Sequence, residues 1–393
     1  MENHLTVILG AGFSANAEMP TASSIADRFD RDLREKLLSA SSSEWFWIDD
    51  KDETFIHNGR LNYDYIAYSY VFNELVKSYV TKRGSFVYYE DFYQYIIDNF
   101  ANSDWVEKLF EKSKKSLLTD KPFFLEKKHK EYYKNYLFAF DHKQFHKVSA
   151  ILNYLIGDIL SVIPKTDAEI KEIYKGFVEF ISQFEALDIF TLNHDLLLER
   201  VFDLNGLKYS KGFNIENSPI SHNDKSVPFF NNNFNEKIKI HKLHGSLDFF
   251  QFRHYEQIGM TLRPTDNYDY YMTSDYYTKH NSIRINPNTK KILQNYNYDI
   301  VPKFITGTKK LDTIGNDILF KKLFQNFSEV MIRSDKLFIS GYSFKDEHLN
   351  EKLKSKEFKY VNQNPFEKYP FEGNGKNIKN LDELKTVANT VYS

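Results

Sequence analysis

The sequence predicts an α/β protein with a parallel sheet covered by helices on both faces. Short continuous apolar runs occupy residues 5–9, 187–191 and 336–340. Each run ends in glycine or polar residues, and a helix-like pattern follows. Strands of a parallel sheet read as continuous apolar runs because both of their faces are buried. Ligands of such sheets bind at the carboxyl ends of the strands, so the pattern predicts a Rossmann-like sheet with a ligand crevice there.

The first turn follows the run 5–9 and reads Gly10-Ala11-Gly12-Phe13. Two glycines between a strand and a helix let the backbone approach a pyrophosphate, whose charge the amides and the helix dipole hold. The third glycine of the dehydrogenase fingerprint is missing. A two-glycine turn alone leaves two interpretations open, a nucleotide site and a tight strand-to-helix turn.

Two further strand ends carry polar side chains. Asn193 and Asp195 follow the run 187–191, and His244 follows a similar run at 238–243. The carboxyl ends of neighbouring parallel strands meet at one edge of the sheet. We therefore expect an amide, a carboxylate and an imidazole to converge in one crevice.

Each of these side chains also has a non-catalytic interpretation. For Asn193 and His244 the alternative is a structural turn. Asp195 can instead cap the helix that follows it. His194 and His241 are expected to take no part in the chemistry.

Residues 40–185 are predicted to form a large α-helical insertion that roofs the crevice or forms an oligomer interface. Apolar spacing predicts helices at 63–80, 90–100, 106–117, 130–140, 145–160 and 168–184. His142 and His146 stand four residues apart and could bind a metal. No cysteine completes such a site, so no metal is expected.

The remaining segments give coarser predictions. Residues 214–235 are polar and are predicted to be a loop. Residues 247–298 have little periodicity, which favours an active-site cover or an interface over a simple connection. The other predicted elements and domains are a helix at 22–38, a strand at 300–305, a helix at 314–332, a helix at 381–388, a sheet domain at 1–39 and 186–360, and a C-terminal extension at 361–393.

Composition excludes several classes of function. The 52 basic and 54 acidic residues leave a net charge of −2, so no direct nucleic-acid or membrane binding is expected. The absence of cysteine excludes disulfides, thiolate zinc sites and cysteine nucleophiles. No signal peptide or membrane-length apolar run is evident, which predicts a soluble cytoplasmic protein. The 17% aromatic content reflects either codon bias or an exposed protein interface.

Four turns taken in order resemble the signature of the sirtuin-like NAD-consuming superfamily. In that pattern the turns are Gly-Ala-Gly-x-Ser, Thr-x-Asn-x-Asp, a catalytic His-Gly, and Gly-x-Ser. This chain has them at residues 10–14, 191–195, 244–245 and 341–343. The resemblance implies NAD+ as the substrate. It also implies catalytic roles for Asn193, His244 and Asp195, and nucleotide contacts from Gly10, Ala11, Gly12, Phe13, Ser14, Ser246, Gly341, Tyr342 and Ser343.

This chain differs from the sirtuin deacylases in ways that favour another subgroup of the superfamily. Sirtuin deacylases carry a four-cysteine zinc ribbon, which this cysteine-free chain cannot build, so no zinc is expected. The fourth turn with Asp346-Glu347-His348 resembles instead the bacterial sirtuin-like NADases of antiphage defence. That resemblance implies cleavage of NAD+ to nicotinamide and ADP-ribose, with activation by assembly or by a partner such as a HerA-type ATPase or a short Argonaute. A homo-oligomer is also expected.

The chemistry of the three implied catalytic residues is consistent with this activity. Asn193 would orient water and ribose near C1′, and Asp195 would supply negative potential. His244 would act as a base whose pKa lies close to the working pH. The alternatives are a deacylase, an ADP-ribosyltransferase, and a non-catalytic subunit that senses NAD or ADP-ribose. A pure binding module has no need of a base, which argues against the last.

Overall fold

A computed structural model describes residues 3–34, 37–40, 44–47, 61–62, 64–86, 88–120, 142–259, 261–297, 300–307 and 310–392. The chain divides into two compact units. The sheet unit comprises Met1–Met19, Ile163–Ile305 and Lys310–Ser393, and the helical unit comprises Pro20–Val162 and Thr306–Lys309.

The elements are as follows. The strands in chain order are β1 (His4–Leu9), β2 (Leu37–Ala40), β3 (Trp45–Trp47), β4 (Leu61–Asn62), β5 (Ala186–Thr191), β6 (Tyr209–Ser210), β7 (Phe213–Asn214), β8 (Ile220–His222), β9 (Lys225–Ser226), β10 (Phe229–Phe230), β11 (Ile238–Lys242), β12 (Phe249–Ile258), β13 (Thr261–Met272), β14 (Ile283–Ile285), β15 (Ile292–Gln294), β16 (Lys336–Ser340), β17 (Phe358–Gln363) and β18 (Gly373–Ile378). The α-helices are Ala11–Ala15, Ala22–Asp32, Asp64–Arg83, Tyr89–Asn99, Ser103–Asp120, His146–Leu160, Asp167–Ile181, Leu197–Leu204, Tyr276–Asn281, Lys310–Asn316, Ile318–Arg333, Glu347–Leu353 and Leu384–Tyr392, with 3-10 turns at His142–Phe145 and Leu381–Glu383.

The main sheet has seven strands in the order β18-β17-β16-β1-β5-β11-β6. All of its pairings are parallel. From β1 the chain continues toward β5 and β11, whereas from β16 it continues toward β17 and β18 on the other side. The boundary between β1 and β16 is therefore the topological switch point, where open α/β sheets bind ligands.

Both faces of this sheet are buried, as the apolar runs predict. Alternate residues of β1 enter different cores: Leu5, Val7 and Leu9 belong to one, and Ile8 belongs to the other. Helices on each face complete the two cores, Asp167–Ile181, Leu197–Leu204 and Leu384–Tyr392 on one side, and Ile318–Arg333 and Glu347–Leu353 on the other. The predicted Rossmann-like α/β fold is confirmed.

The four predicted turns follow β1, β5, β11 and β16. These strands are consecutive neighbours in the sheet and run parallel. Their carboxyl ends therefore lie side by side at one edge, so residues far apart in the chain share that edge.

The domain boundaries in the structure differ from those expected from the sequence. The helix Asp167–Ile181, expected in the insertion at 40–185, belongs to the sheet unit because Phe177 and Phe180 join the core that contains Leu5. The expected extension at 361–393 is likewise part of the sheet unit, since β18 pairs with β17 and Leu384 is buried in the same core.

The helical unit also differs from the predicted insertion, because it is not purely helical. It includes the helix Ala22–Asp32, whose Phe29 packs 5.9 Å from the Trp47 ring. It also contains a small sheet in the order β3-β2-β4, so the predicted helix at 22–38 ends early and a strand follows. The predicted helix at 130–140 lies outside the described residues.

The two long polar segments of the sheet unit are more ordered than the sequence predicts. The loop expected at 214–235 contains β8, β9 and β10. Residues 247–259 and 261–297 form the antiparallel hairpin of β12 and β13, then further short elements. The strand expected at 300–305 is reduced to a single bridge between Phe304 and Gly245. In the described part of the chain, the helices lack the length and apolar character needed to cross a bilayer.

The tight contact between the first and fourth turns generates a stability prediction. Gly341 has a positive φ of 64°, and a Cβ there would lie 2.1 Å from the amide nitrogen of Phe13. Gly341→Ala combines a left-handed backbone cost of about 1–2 kcal/mol with an overpacking cost of about 1–3 kcal/mol. We expect the free energy of unfolding in urea to fall by about 2–5 kcal/mol.

Gly206 provides a matched control. It has the same φ of 64°, but a Cβ there would meet no atom within 4 Å. Gly206→Ala should lower the free energy of unfolding by only about 1–2 kcal/mol. Equal losses in the two variants would show that the contact at Gly341 does not exclude a side chain.

Candidate active site

The first and fourth turns meet through their main chains. The amide of Gly12 donates to the Gly341 carbonyl at 3.0 Å, and the amide of Gly10 donates to the Ser340 carbonyl at 2.9 Å. A Cβ on Gly10 or Gly12 would lie 2.6 Å from atoms of Gly341. The glycines are thus required for backbone packing at the switch point, independently of any ligand.

This packing bears on the nucleotide contacts expected from the first turn. The amides of Gly10, Gly12 and Phe13 already donate to protein carbonyls. The Phe13 ring is buried against Tyr174, whose hydroxyl donates to the Phe13 carbonyl at 2.7 Å. Ala11 is exposed. Nucleotide binding by this turn stays a prediction, and these three amides could join it only by leaving their present partners.

Asn193 is anchored to the same turn. Its Nδ2 atom donates to the Gly10 carbonyl and to the Ser14 hydroxyl, both at 2.9 Å. The amide of Asn193 also donates to Thr191 Oγ1 at 3.1 Å. An amide NH2 has two hydrogens, so these bonds use its donor capacity. The half-buried Asn193 side chain therefore presents its carbonyl oxygen, an acceptor, to any ligand.

The Asp195 carboxylate binds the start of the helix that follows, just before its N-cap residue Leu196. Its Oδ1 atom accepts a hydrogen bond from the Leu197 amide at 3.0 Å, at the start of the helix Leu197–Leu204. The residue is 5% exposed. Burial raises the pKa of Asp195, and the nearby Lys242 opposes that rise. The capping interpretation left open by the sequence thus has direct structural support.

His244 lies in the turn after β11 and is 4% exposed. Gly245 follows it with a positive φ of 85°, and a Cβ there would lie 2.2 Å from the Lys303 carbonyl oxygen. A glycine is therefore needed after the histidine. The His244 carbonyl accepts from the Ile305 amide at 2.8 Å. Its Nε2 atom is buried and has no hydrogen-bond partner among the described residues.

The pKa of His244 differs from the one expected from the sequence. Burial lowers its pKa well below the ordinary value, and the charge of Lys310 lowers it further. The sequence-based expectation of a base with a pKa near neutrality is therefore wrong for this structure. The imidazole is neutral at pH 7, and its ring nitrogen keeps a free electron pair.

Other histidines flank this site. The His194 ring lies 4.7 Å from Phe304 and 6.4 Å from the His244 ring, and burial lowers the pKa of His194 to about 3. His241 binds Asp188 Oδ1 through Nε2 at 3.0 Å and stacks on Phe190. His241 thus has a structural environment, whereas His194 lies beside the candidate base.

A buried lysine holds the Asn193 turn in place. Lys242 is 1% exposed. Its Nζ donates to the main-chain carbonyls of Asn193, at 3.4 Å, and of Asp195. It also forms an ion pair with Glu199 at 3.1 Å. Lys211 lies 3.2 Å from the same carboxylate and also pairs with Asp248.

Sequence reasoning missed this network. The available signal was a lysine at the end of an apolar strand, two residues before the predicted catalytic histidine. A buried ammonium needs a carboxylate partner, and Glu199 comes from a helix that the sequence alone does not place there.

The fourth turn and Ser246 contribute less to a ligand surface than expected. Tyr342 is 1% exposed, and its hydroxyl donates to the Asp346 carbonyl at 3.1 Å. Ser246 is fully buried, and its amide donates to the Lys303 carbonyl at 3.1 Å. Ser343 is exposed and Gly341 is half-buried, so these two can be reached in this conformation.

Three side chains at this edge could hold a cation. One ligand atom from each of His244, Asp346 and His348 lies within 4.8 Å of the other two. The sequence had offered a different pair, His142 and His146, as possible metal ligands. His146 is exposed, and its Nδ1 atom donates to the Lys143 carbonyl at 2.7 Å.

Comparison with known proteins found one family that matches part of the sheet unit. No curated protein matches the chain. Residues 188–365 match the family model described as a SIR2-like domain. The matched segment covers less than half of the chain, but it contains Asn193, His244 and the fourth turn. The sheet unit is therefore similar to sirtuin-like proteins over this segment, which indicates an NAD-related function.

Proposed function

We propose that the protein is an NAD+ glycohydrolase that cleaves NAD+ to nicotinamide and ADP-ribose. The observation that carries the proposal is the presence of an anchored Asn193 amide and a neutral, buried His244 imidazole at the carboxyl ends of two neighbouring parallel strands. The match of residues 188–365 to a SIR2-like domain supports NAD+ as the substrate.

The reaction breaks the bond between nicotinamide and ribose C1′. Nicotinamide leaves as a neutral molecule and takes the bonding electron pair, so positive charge develops on the ribose. Water then adds its oxygen to C1′ and loses one proton. The products are nicotinamide, ADP-ribose and one proton for each NAD+ and water consumed.

The two side chains divide this work. The Asn193 carbonyl oxygen accepts a hydrogen bond from the attacking water or from a ribose hydroxyl, because its NH2 group is already engaged. The neutral His244 takes the proton that water releases, through a ring nitrogen without another partner among the described residues. Asp195 adds negative potential while it caps the neighbouring helix.

We further propose that NAD+ depletion serves bacterial antiphage defence by abortive infection. Activation by homo-oligomer assembly or by a partner such as a HerA-type ATPase belongs to the same proposal. The support is the resemblance of the fourth turn, with its Asp346 and His348, to defence NADases. Co-expression with the product of the neighbouring gene, followed by measurement of cellular NAD+ during phage infection, tests this step. Unchanged NAD+ in infected cells would contradict it.

The proposed function predicts different turnover for two histidine variants. His244→Gln should abolish release of nicotinamide, a loss of at least about 100-fold, because general-base contributions are about 10²–10⁴-fold. His194→Gln changes a neighbouring buried histidine and should retain most of the turnover. Chromatography of products from purified protein and NAD+ measures both, and circular dichroism checks folding.

Asn193→Ala completes this test. It should also abolish turnover, since water loses its acceptor near C1′. Equal turnover in folded wild type and His244→Gln would contradict the role of His244. Saturable NAD+ binding by wild type without nicotinamide release would favour the non-catalytic sensing subunit, unless a partner or assembly restores release.

A second prediction concerns Lys242, a positioning residue. Lys242→Met removes the donor to the Asn193 and Asp195 carbonyls. Misplacement of a reacting group by about 1 Å costs about 10²-fold in rate, so kcat should fall by roughly 10- to 100-fold. The KM for NAD+ should change much less.

Lys211→Met is the control for Lys242→Met. It disrupts the same buried Glu199 network, because its Nζ pairs with the Glu199 and Asp248 side chains. Both variants should lower thermal stability, but only Lys242→Met should lower kcat. A similar loss of kcat in both would assign Lys242 a purely structural role.

A further inference from the structure

Two unpartnered imidazole nitrogens and a carboxylate meet at the edge of the sheet unit. The Nε2 atoms of His244 and His348 are buried and make no hydrogen bond within the described ranges. Buried polar atoms of native proteins almost always have a partner. These two unpartnered nitrogens are grouped with a carboxylate, and that grouping points to a ligand shared by the three side chains. Asp346 Oδ1 lies 3.9 Å from His244 Nε2, and the two histidine rings lie 6.1 Å apart.

We propose that His244, Asp346 and His348 form a binding site for a divalent transition-metal ion such as Zn2+, and that occupancy of this site inhibits the enzyme. Two imidazoles and one carboxylate are the protein ligands of open zinc sites, which keep a further position for water. The inhibitory part rests on the proposed function, because the metal would bind His244, the proposed base.

The spacing of the ligand atoms fits this use. Zinc bonds to nitrogen and oxygen are about 2.0–2.2 Å, which places tetrahedral ligand atoms about 3.3–3.5 Å apart. The three candidate atoms lie within 4.8 Å of one another. Metal binding therefore requires the ligand atoms to move closer together by no more than about 1.5 Å.

The surrounding contacts hold the ligands in place. Asp346 is fixed through its main chain, since its amide donates to the Tyr342 hydroxyl at 3.2 Å and its carbonyl accepts from that hydroxyl at 3.1 Å. The His348 ring packs edge-on against Phe324, with 5.0 Å between ring centroids. Supporting contacts of this kind orient metal ligands before the ion binds.

Lys310 competes with a metal for the site. Its Nζ atom lies 3.1 Å from Asp346 Oδ1, and its charge acts on both His244 and His348. A dication must displace this ammonium or tolerate its repulsion. The site is therefore expected to bind zinc reversibly, and removing the ammonium should strengthen binding.

Bound metal would also block the proposed chemistry. Coordination uses the electron pair of His244 that otherwise accepts a proton, so one imidazole cannot do both at once. NAD+ cleavage would then stop when zinc fills the site and resume when a chelator removes it.

The test is a zinc titration of the chelator-treated full chain in competition with a chromogenic chelator. Wild type should bind one Zn2+ per chain. His348→Ala should lose affinity by at least about tenfold, and Lys310→Met should gain about tenfold. The control is His146→Ala, which removes an exposed histidine outside the site and should bind zinc as wild type does. Asp346→Asn provides a second ligand variant if His348→Ala does not fold.

NAD+ cleavage is measured on the same samples. Zinc at site-saturating concentration should stop cleavage by wild type, and His348→Ala should continue to cleave. Failure of wild type to bind zinc, or full binding by folded His348→Ala, would overturn the site. Equal inhibition of wild type and His348→Ala would overturn the inhibitory role.

The two proposals fail separately. Zinc binding that depends on His348, without NAD+ cleavage in any sample even with the partner, would support the metal site and contradict the proposed function. NAD+ cleavage without zinc binding would support the proposed function and contradict the metal site.

Discussion

The sheet unit depends on one close contact between two stretches of main chain. Gly12 and Gly341 approach so closely that a Cβ on either would overlap the other turn. This contact joins the ends of β1 and β16 at the switch point of the sheet. It also sets the position of Gly10, whose carbonyl accepts the Asn193 side chain. Backbone packing at the switch point thus positions the Asn193 side chain in the candidate site.

Histidine side chains have different surroundings at the two ends of the strands. At the amino end of β5, Asp188 pairs with His4 at 2.8 Å and with His241 at 3.0 Å. At the carboxyl end, the Nε2 atoms of His244 and His348 are left unpaired within the described residues. A desolvated imidazole without a partner is costly for folding. The grouping of these two nitrogens with Asp346 is the basis of the proposed metal site.

The proposed hydrolase and the proposed metal site use the same electron pair of His244. In one state this pair accepts a proton from water, and in the other it binds a cation together with Asp346 and His348. Lys310 favours the metal-free state because its ammonium already pairs with Asp346. The balance between these states would link NAD+ cleavage to the availability of free metal.

The sequence by itself determined the sheet, its four turns and the residues at their tips. Continuous apolar runs identify buried parallel strands, and such strands place their carboxyl ends at one edge. Asn193 and His244 were found in this way. Tertiary structure alone decided the contacts that cross between elements distant in the chain: Lys242 on the carbonyls of the Asn193 turn, and His348 beside His244. It also decided that His244 is a weak base, because burial and the charge of Lys310 depend on packing that no local pattern encodes.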